Sequence, residues 1–124
     1  MPADHDPQML KGVLPLLVLA SLAHAESYGY ELVVRLREDG LTDLSTGTLY
    51  PVLTRLERDR LISSRLVASP SGPARKYYLP TDEGRTALTD RSAAWTQLVS
   101  AARTVLGRVP TGDLRLTDHE GDPR

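Results

Sequence analysis

Cysteine is absent from all 124 residues. The chain therefore has no disulfide framework and no thiolate to offer a metal, and nothing in it argues for an oxidising compartment. Histidine is scarce as well, with only His5, His24 and His119, two of them close to the ends. An enzyme needs converging nucleophiles, acids or metal ligands, and this set assembles none, so neither a catalytic site, a metal nor a cofactor is expected. Long apolar runs are also missing. The densest, Val13 to Ala23, is interrupted by Pro15 and Ser21 and falls short of the ~20 apolar residues that a bilayer-crossing helix needs. Met1 to Gln8 carries Asp4 and Asp6 where a secretory signal would be basic. Together these absences predict a cytoplasmic protein with no membrane partner.

Excess charge is missing too: the net value is -1, low for a chain that meets nucleic acid. Distribution matters more than the sum. Arg55, Arg58, Arg60, Arg65, Arg75 and Lys76 outnumber Glu57 and Asp59 in the stretch they span, while Asp4, Asp6, Asp113, Asp118, Glu120 and Asp122 lie towards the termini. The rest of the composition, 40% hydrophobic and 25% charged, is that of an ordinary globular chain with one modest core.

Patterning predicts four helices and a hairpin. Leu10 to Ala23 reads as a core helix that starts or kinks at Pro15, where a backbone donor is lost. Ser27 is placed to cap a second helix, with Leu32, Val33 and Leu36 as its apolar stripe and Gly40 as its stop. Ser45 is placed to cap a third, which turns Leu49, Val52, Leu53 and Leu56 inward and Thr46, Gly47, Tyr50, Thr54, Arg55 and Arg58 outward; Pro51 costs it one backbone hydrogen bond. Leu61 to Ala68 and Ala74 to Leu79 read as strands, with Tyr77 and Tyr78 as packing residues of the second. The Ser69 to Pro73 cluster closes them into a hairpin. Thr81 then caps a last helix, with Asp82 and Glu83 in the favourable first turn.

That last helix runs to about Leu106 and presents Leu88, Trp95, Leu98, Val99, Ala102, Val105 and Leu106 at spacings of three and four. An apolar stripe on a terminal helix needs a partner, and a second copy of the chain supplies one. Beyond Gly107, Pro110, Gly112, Gly121 and Pro123 interrupt every period. The expected organisation is a flexible start (1–8), a DNA-binding domain (9–80), a dimerisation helix (81–107) and a disordered tail (108–124). The fold class is mainly α with a small β-hairpin, α+β: a winged helix-turn-helix followed by a long C-terminal dimerisation helix.

In DNA-binding versions of this motif the second helix of the pair enters the major groove, where base edges are legible, while its amino end approaches phosphate. Ser45, Thr46, Thr48, Tyr50 and Arg55 are the residues so placed. Arg75 and Lys76, just past the hairpin tip, have the charge to meet the sugar-phosphate backbone. The same fold also serves as a protein-binding module that ignores DNA, and that alternative stays open.

Leu10-Lys11-Gly12, Tyr28-Gly29-Tyr30-Glu31-Leu32, Gly47-Thr48-Leu49-Tyr50-Pro51, Arg75-Lys76-Tyr77-Tyr78 and Thr81-Asp82-Glu83-Gly84 occur in this order. Over residues 9–106 the chain thereby resembles the PadR family of transcriptional regulators. The resemblance implies a winged-helix homodimer that represses transcription from a pseudo-palindromic double-stranded operator. Its recognition helix would be Ser45 to Arg60 and its wing would lie around Gly72. Tyr28 or Tyr30 would approach a phosphate from the second helix, or else be structural. A single C-terminal helix is similar to the smaller subfamily, in which that helix packs on its mate and on the first helix, and this implies that Leu10 joins the interface. Some short members take flat aromatic compounds in a cleft near the dimer axis. Trp95 with Val99 would line such an effector site, or would fill the interface. Pro15 and Pro80 depart from the family's usual residues.

Overall fold

The computed structural model describes residues 5–110. The expected disordered tail therefore lies outside the described residues from position 111 on, as do the first four residues of the expected flexible start. The element order is α1 (Pro7–His24), β1 (Ser27–Tyr28), α2 (Gly29–Glu38), α3 (Thr46–Arg58), β2 (Ile62–Val67), β3 (Arg75–Pro80) and α4 (Asp82–Leu106). This is the expected α+β class. Compactness divides the chain into Met1–Arg91 and Ser92–Arg124.

Asp6 begins α1 earlier than the apolar run does. Its carboxylate accepts from the N–H groups of Gln8 (2.8 Å) and Met9 (3.4 Å), and Pro7 stands at the first helical position, where a missing donor costs nothing. The helix continues through Pro15 and neither starts nor stops there. The carbonyl of Lys11, deprived of its donor by Pro15, belongs to an exposed residue and has water available. At 18 residues and mean hydropathy 1.2, α1 has the length and composition of a membrane span. Its Leu14, Val18, Leu19 and Leu22, however, are buried in one cluster with Leu32, Val33 and Leu36 of α2 and Leu49, Leu53 and Leu56 of α3.

Helices α2 and α3 end in the same way. Gly40 has φ +124° and donates to Arg37 O at 3.1 Å, while Leu41 donates to Leu36 O at 3.0 Å. Arg60 repeats this with φ 63°, donating to Glu57 O at 3.0 Å while Leu61 donates to Leu56 O at 2.9 Å. Both are Schellman-type stops, for which glycine is the usual residue. At Arg60 the conformation is held from outside, because the Thr81 hydroxyl donates to its carbonyl at 2.7 Å.

Ser27 is not the cap of α2. Its backbone forms β1, and its hydroxyl donates to Glu31 Oε1 at 2.8 Å; Tyr28 takes the cap position with no side-chain hydrogen bond. The hairpin forms as expected, within a residue at each strand end, and β1 enlarges it to a three-stranded antiparallel sheet ordered β1-β3-β2. Ser27 pairs with Tyr78 and Tyr28 with Tyr77, while β2 runs against β3 from Ile62↔Pro80 to Val67↔Arg75.

Thr81 accepts the Gly84 N–H on its hydroxyl (3.0 Å) and so caps α4 as expected. Its own N–H donates to Leu61 O at 3.1 Å. This draws the first turn of α4 so close to β2 that a Cβ on Gly84 would overlap the Leu61 carbonyl. Leu88 and Leu10 both pack at the edge of this same core. In the second unit α4 continues with Trp95, Leu98, Val105 and Leu106 between 47% and 63% exposed; Ala102 is exposed and Val99 half-buried.

Candidate nucleic-acid interface

The amino end of α3 is built on hydroxyls. Ser45 Oγ accepts the Thr48 N–H at 3.2 Å and so caps the helix, and it lies 3.1 Å from Thr48 Oγ1. Thr46 and Gly47 are exposed beside them. The turn leading in is held by Arg37, whose Nε donates to Leu44 O at 2.7 Å. Arg35 ties α2 to the end of α1 by donating to Ser21 O (3.1 Å), Ser21 Oγ (3.3 Å) and Ala25 O (2.9 Å). Charge pattern alone places these two arginines on a solvated helix face, yet both orient the helix pair.

Tyr50, 42% exposed, projects from α3 with its phenol against Gly29, where a Cβ would overlap the ring. Arg55 is exposed and forms no ion pair among the described residues. Arg58 meets Asp59 only at 3.8 Å, with both side chains largely exposed, a contact of little energetic weight. Tyr30 is 57% exposed at the start of α2.

Successive strand residues face opposite sides of a sheet, and this separates the two wing cations. Arg75 shares a face with Tyr77, Arg65 and Tyr28. Its guanidinium stands 4.5 Å above the Tyr28 ring, which meets Tyr77 edge-on at 5.3 Å, while Arg65 pairs with Glu26. Lys76 lies on the other face, towards α3, with Nζ 3.1 Å from Glu57 Oε1 and 5.6 Å from the centre of the Tyr78 ring. Glu57 Oε2 accepts from Ser64 Oγ at 2.6 Å. The Ser64 hydroxyl, then Lys76, holds the Glu57 carboxyl below its ordinary value. The hydrogen bond it donates to Glu57 holds Lys76 above its own, and burial pushes the Tyr78 phenol up.

The predicted residues Ser45, Thr46, Thr48, Tyr50 and Arg55 thus lie along α3, and Tyr28 lies with Arg75 on one face of the wing. Lys76 does not join Arg75, because it is turned to Glu57. Sequence reasoning passed over Gly29, Arg35, Arg37 and Glu57. Only Gly29 carries a local signal, a small residue between two tyrosines. A cavity of about 460 Å³ between the start of α1 and α3 is lined by Leu10, Leu14, Leu44, Val52 and Leu56 among others, and not by Trp95 or Val99. No metal-holding cluster of His, Cys, Asp and Glu occurs among the described residues.

Three helices with a short turn before the third, then a hairpin, define a winged helix-turn-helix protein. Residues 18–90 match the transcriptional regulator PadR-like family, and the chain belongs to that family. It is 40% identical over 99 residues to transcriptional regulator Rv3488 of Mycobacterium tuberculosis, covering 78% of this chain and 86% of the relative. The crystal structure of a PadR-like transcriptional regulator from Bacillus cereus superposes with a TM-score of 0.72 at 40% identity, covering 80% of this chain and 96% of the other. That of a PadR family transcriptional regulator from Eggerthella lenta gives 0.75 at 35% identity, covering 82% and 88%. The chain is accordingly a PadR-like transcriptional regulator.

Proposed function

We propose that this regulator is a cytoplasmic repressor that binds a pseudo-palindromic operator as a homodimer. The observation that carries the reading is the exposed surface of α3, whose inner face is locked in the core: Thr46 and Tyr50 stand on the flank beside Gly29 of α2, and Thr48 and Arg55 on the flank beside the start of α1. Arg55 is the base-reading candidate, since an unpaired guanidinium suits the bidentate edge of guanine. Ser45 and the N–H groups at the start of α3 suit phosphate, and so do Arg75 and Tyr28 on the wing.

Two protomers joined through Trp95, Leu98, Val99, Ala102, Val105 and Leu106, with Leu10 and Leu88 at the margin, would set their recognition helices one DNA turn apart. Occupying the operator blocks the promoter. A small aromatic effector between Trp95 and Val99 would release the DNA only by binding one arrangement of the dimer more tightly than the other.

Fluorescence anisotropy tests this with a labelled duplex from upstream of the protein's own gene against a scrambled duplex, at low and moderate salt. Arg55→Ala is expected to cost about 1–3 kcal/mol on the preferred duplex and little on the scrambled one. An equal loss on both would reassign Arg55 to phosphate. The second reading, a protein-binding module, draws on the acidic partners that Glu57 and Glu26 provide for Lys76 and Arg65. Failure to bind either duplex at low salt would favour it.

A further inference from the structure

We infer that Glu57 sets the specificity of the DNA-binding surface by withholding the charge of Lys76 from DNA that does not match the recognition helix. This inference rests on the DNA-binding reading above. Glu57 is the acidic residue that α3 turns towards the wing, and both of its oxygens are engaged there, Oε1 by Lys76 and Oε2 by Ser64. Ser64 stands opposite Tyr78 and Leu66 opposite Lys76 in the β2–β3 ladder, so Ser64, Tyr78 and Lys76 share the sheet face beneath Glu57. The carboxylate is thus anchored by a hydroxyl that does not titrate and by an ammonium that can leave.

The Lys76 and Glu57 side chains are 50% and 33% exposed. An ion pair this open contributes little to folding, so structural need alone does not account for it. It is also easily exchanged: a phosphate brought to the wing competes for Lys76 at small cost. In the free protein, and on DNA held at a distance, Lys76 stays with Glu57 and adds nothing to attraction. When α3 seats fully in the groove and draws the wing onto the backbone, the ammonium can transfer to phosphate while Ser64 retains Glu57. Charge is then spent only on a duplex that α3 accepts. Arg75, on the opposite face and stacked on Tyr28, attracts any duplex. The two neighbouring cations therefore have different tasks.

Glu57→Gln tests the inference, because glutamine keeps the volume and an acceptor for Ser64 while removing the charge. Binding of wild type, Glu57→Gln, Lys76→Met and the double variant to upstream and scrambled duplexes is measured by anisotropy over a salt series. Glu57→Gln is expected to bind scrambled DNA more tightly, with a salt slope steeper by about 0.9, the signature of one added phosphate contact, and with a reduced preference for the upstream duplex. Lys76→Met is expected to leave scrambled binding unchanged in the wild-type background and to abolish the gain in the Glu57→Gln background. A gain that persists without Lys76 would mean direct repulsion of DNA by Glu57 and would overturn the inference. So would an unchanged slope with affinity for both duplexes falling alongside thermal stability. Wild type that binds neither duplex would instead overturn the DNA-binding reading itself.

Discussion

A methyl group added at Gly84 would run into the Leu61 carbonyl, whereas one added at Gly29 would meet the phenol end of Tyr50. The difference lies in what can yield. Leu61 O is fixed by the Thr81 N–H at 3.1 Å, so Gly84→Ala must push the start of α4 away from β2. Overpacking of this kind costs about 1–3 kcal/mol, and a clear fall in Tm is expected in a thermal melt. The Tyr50 ring can swing outward, and alanine restricts the unfolded chain more than glycine does, so Gly29→Ala should change stability by less than about 1 kcal/mol. It should nonetheless weaken DNA binding in the anisotropy assay, because Tyr50 loses its resting place on α2.

Among the elements, the wing is tied to the recognition helix by groups whose charge depends on pH. Glu57 titrates below its ordinary value of 4.5 when folded, so its contribution to stability is fully present above 4.5 and is lost as pH falls through the lower folded value. Lys76 titrates above 10.5, so its contribution is present below 10.5 and is lost as pH rises through the higher folded value. Urea melts should therefore show a stability difference between wild type and Glu57→Gln that is level between these limits and shrinks on the acid side. Solvent screening of so exposed a pair keeps that difference under about 1 kcal/mol. A difference unchanged into the acid range would mean that Ser64, and not the charge, holds the wing.

For the whole molecule the unanswered surface is the far half of α4. Leu98 is 63% exposed and Val105 60%, so replacing them costs a lone protomer almost nothing, while a dimer that buries them would lose about 1.5–3 kcal/mol for each side chain and would have a charge to bury in its place. Leu98→Glu with Val105→Glu is expected to give a folded monomer by light scattering, with unchanged helix content and much weaker operator binding. A dimer that survives would place the interface elsewhere.

What the sequence determined by itself was whatever is settled between near neighbours along the chain. Ser45 and Thr81 as caps, Gly40 as a stop, the Leu49, Leu53 and Leu56 stripe and the Ser69 to Pro73 turn all act over a few residues, so their meaning is visible in order and spacing. Tertiary structure alone decided the rest. A strand of two residues such as β1 has no period to read and exists because β3 offers Ser27 and Tyr28 a partner. Arg35 and Arg37 look like solvated charges until α1 and the turn bring carbonyls to them. Strand alternation alone sets Arg75 and Lys76 on opposite faces, but packing decides which face meets α3, and so that Glu57 finds Lys76 nineteen positions away. Local hydrogen bonds make elements; the pairing of a charge depends on which elements pack together, and no spacing along the chain encodes that.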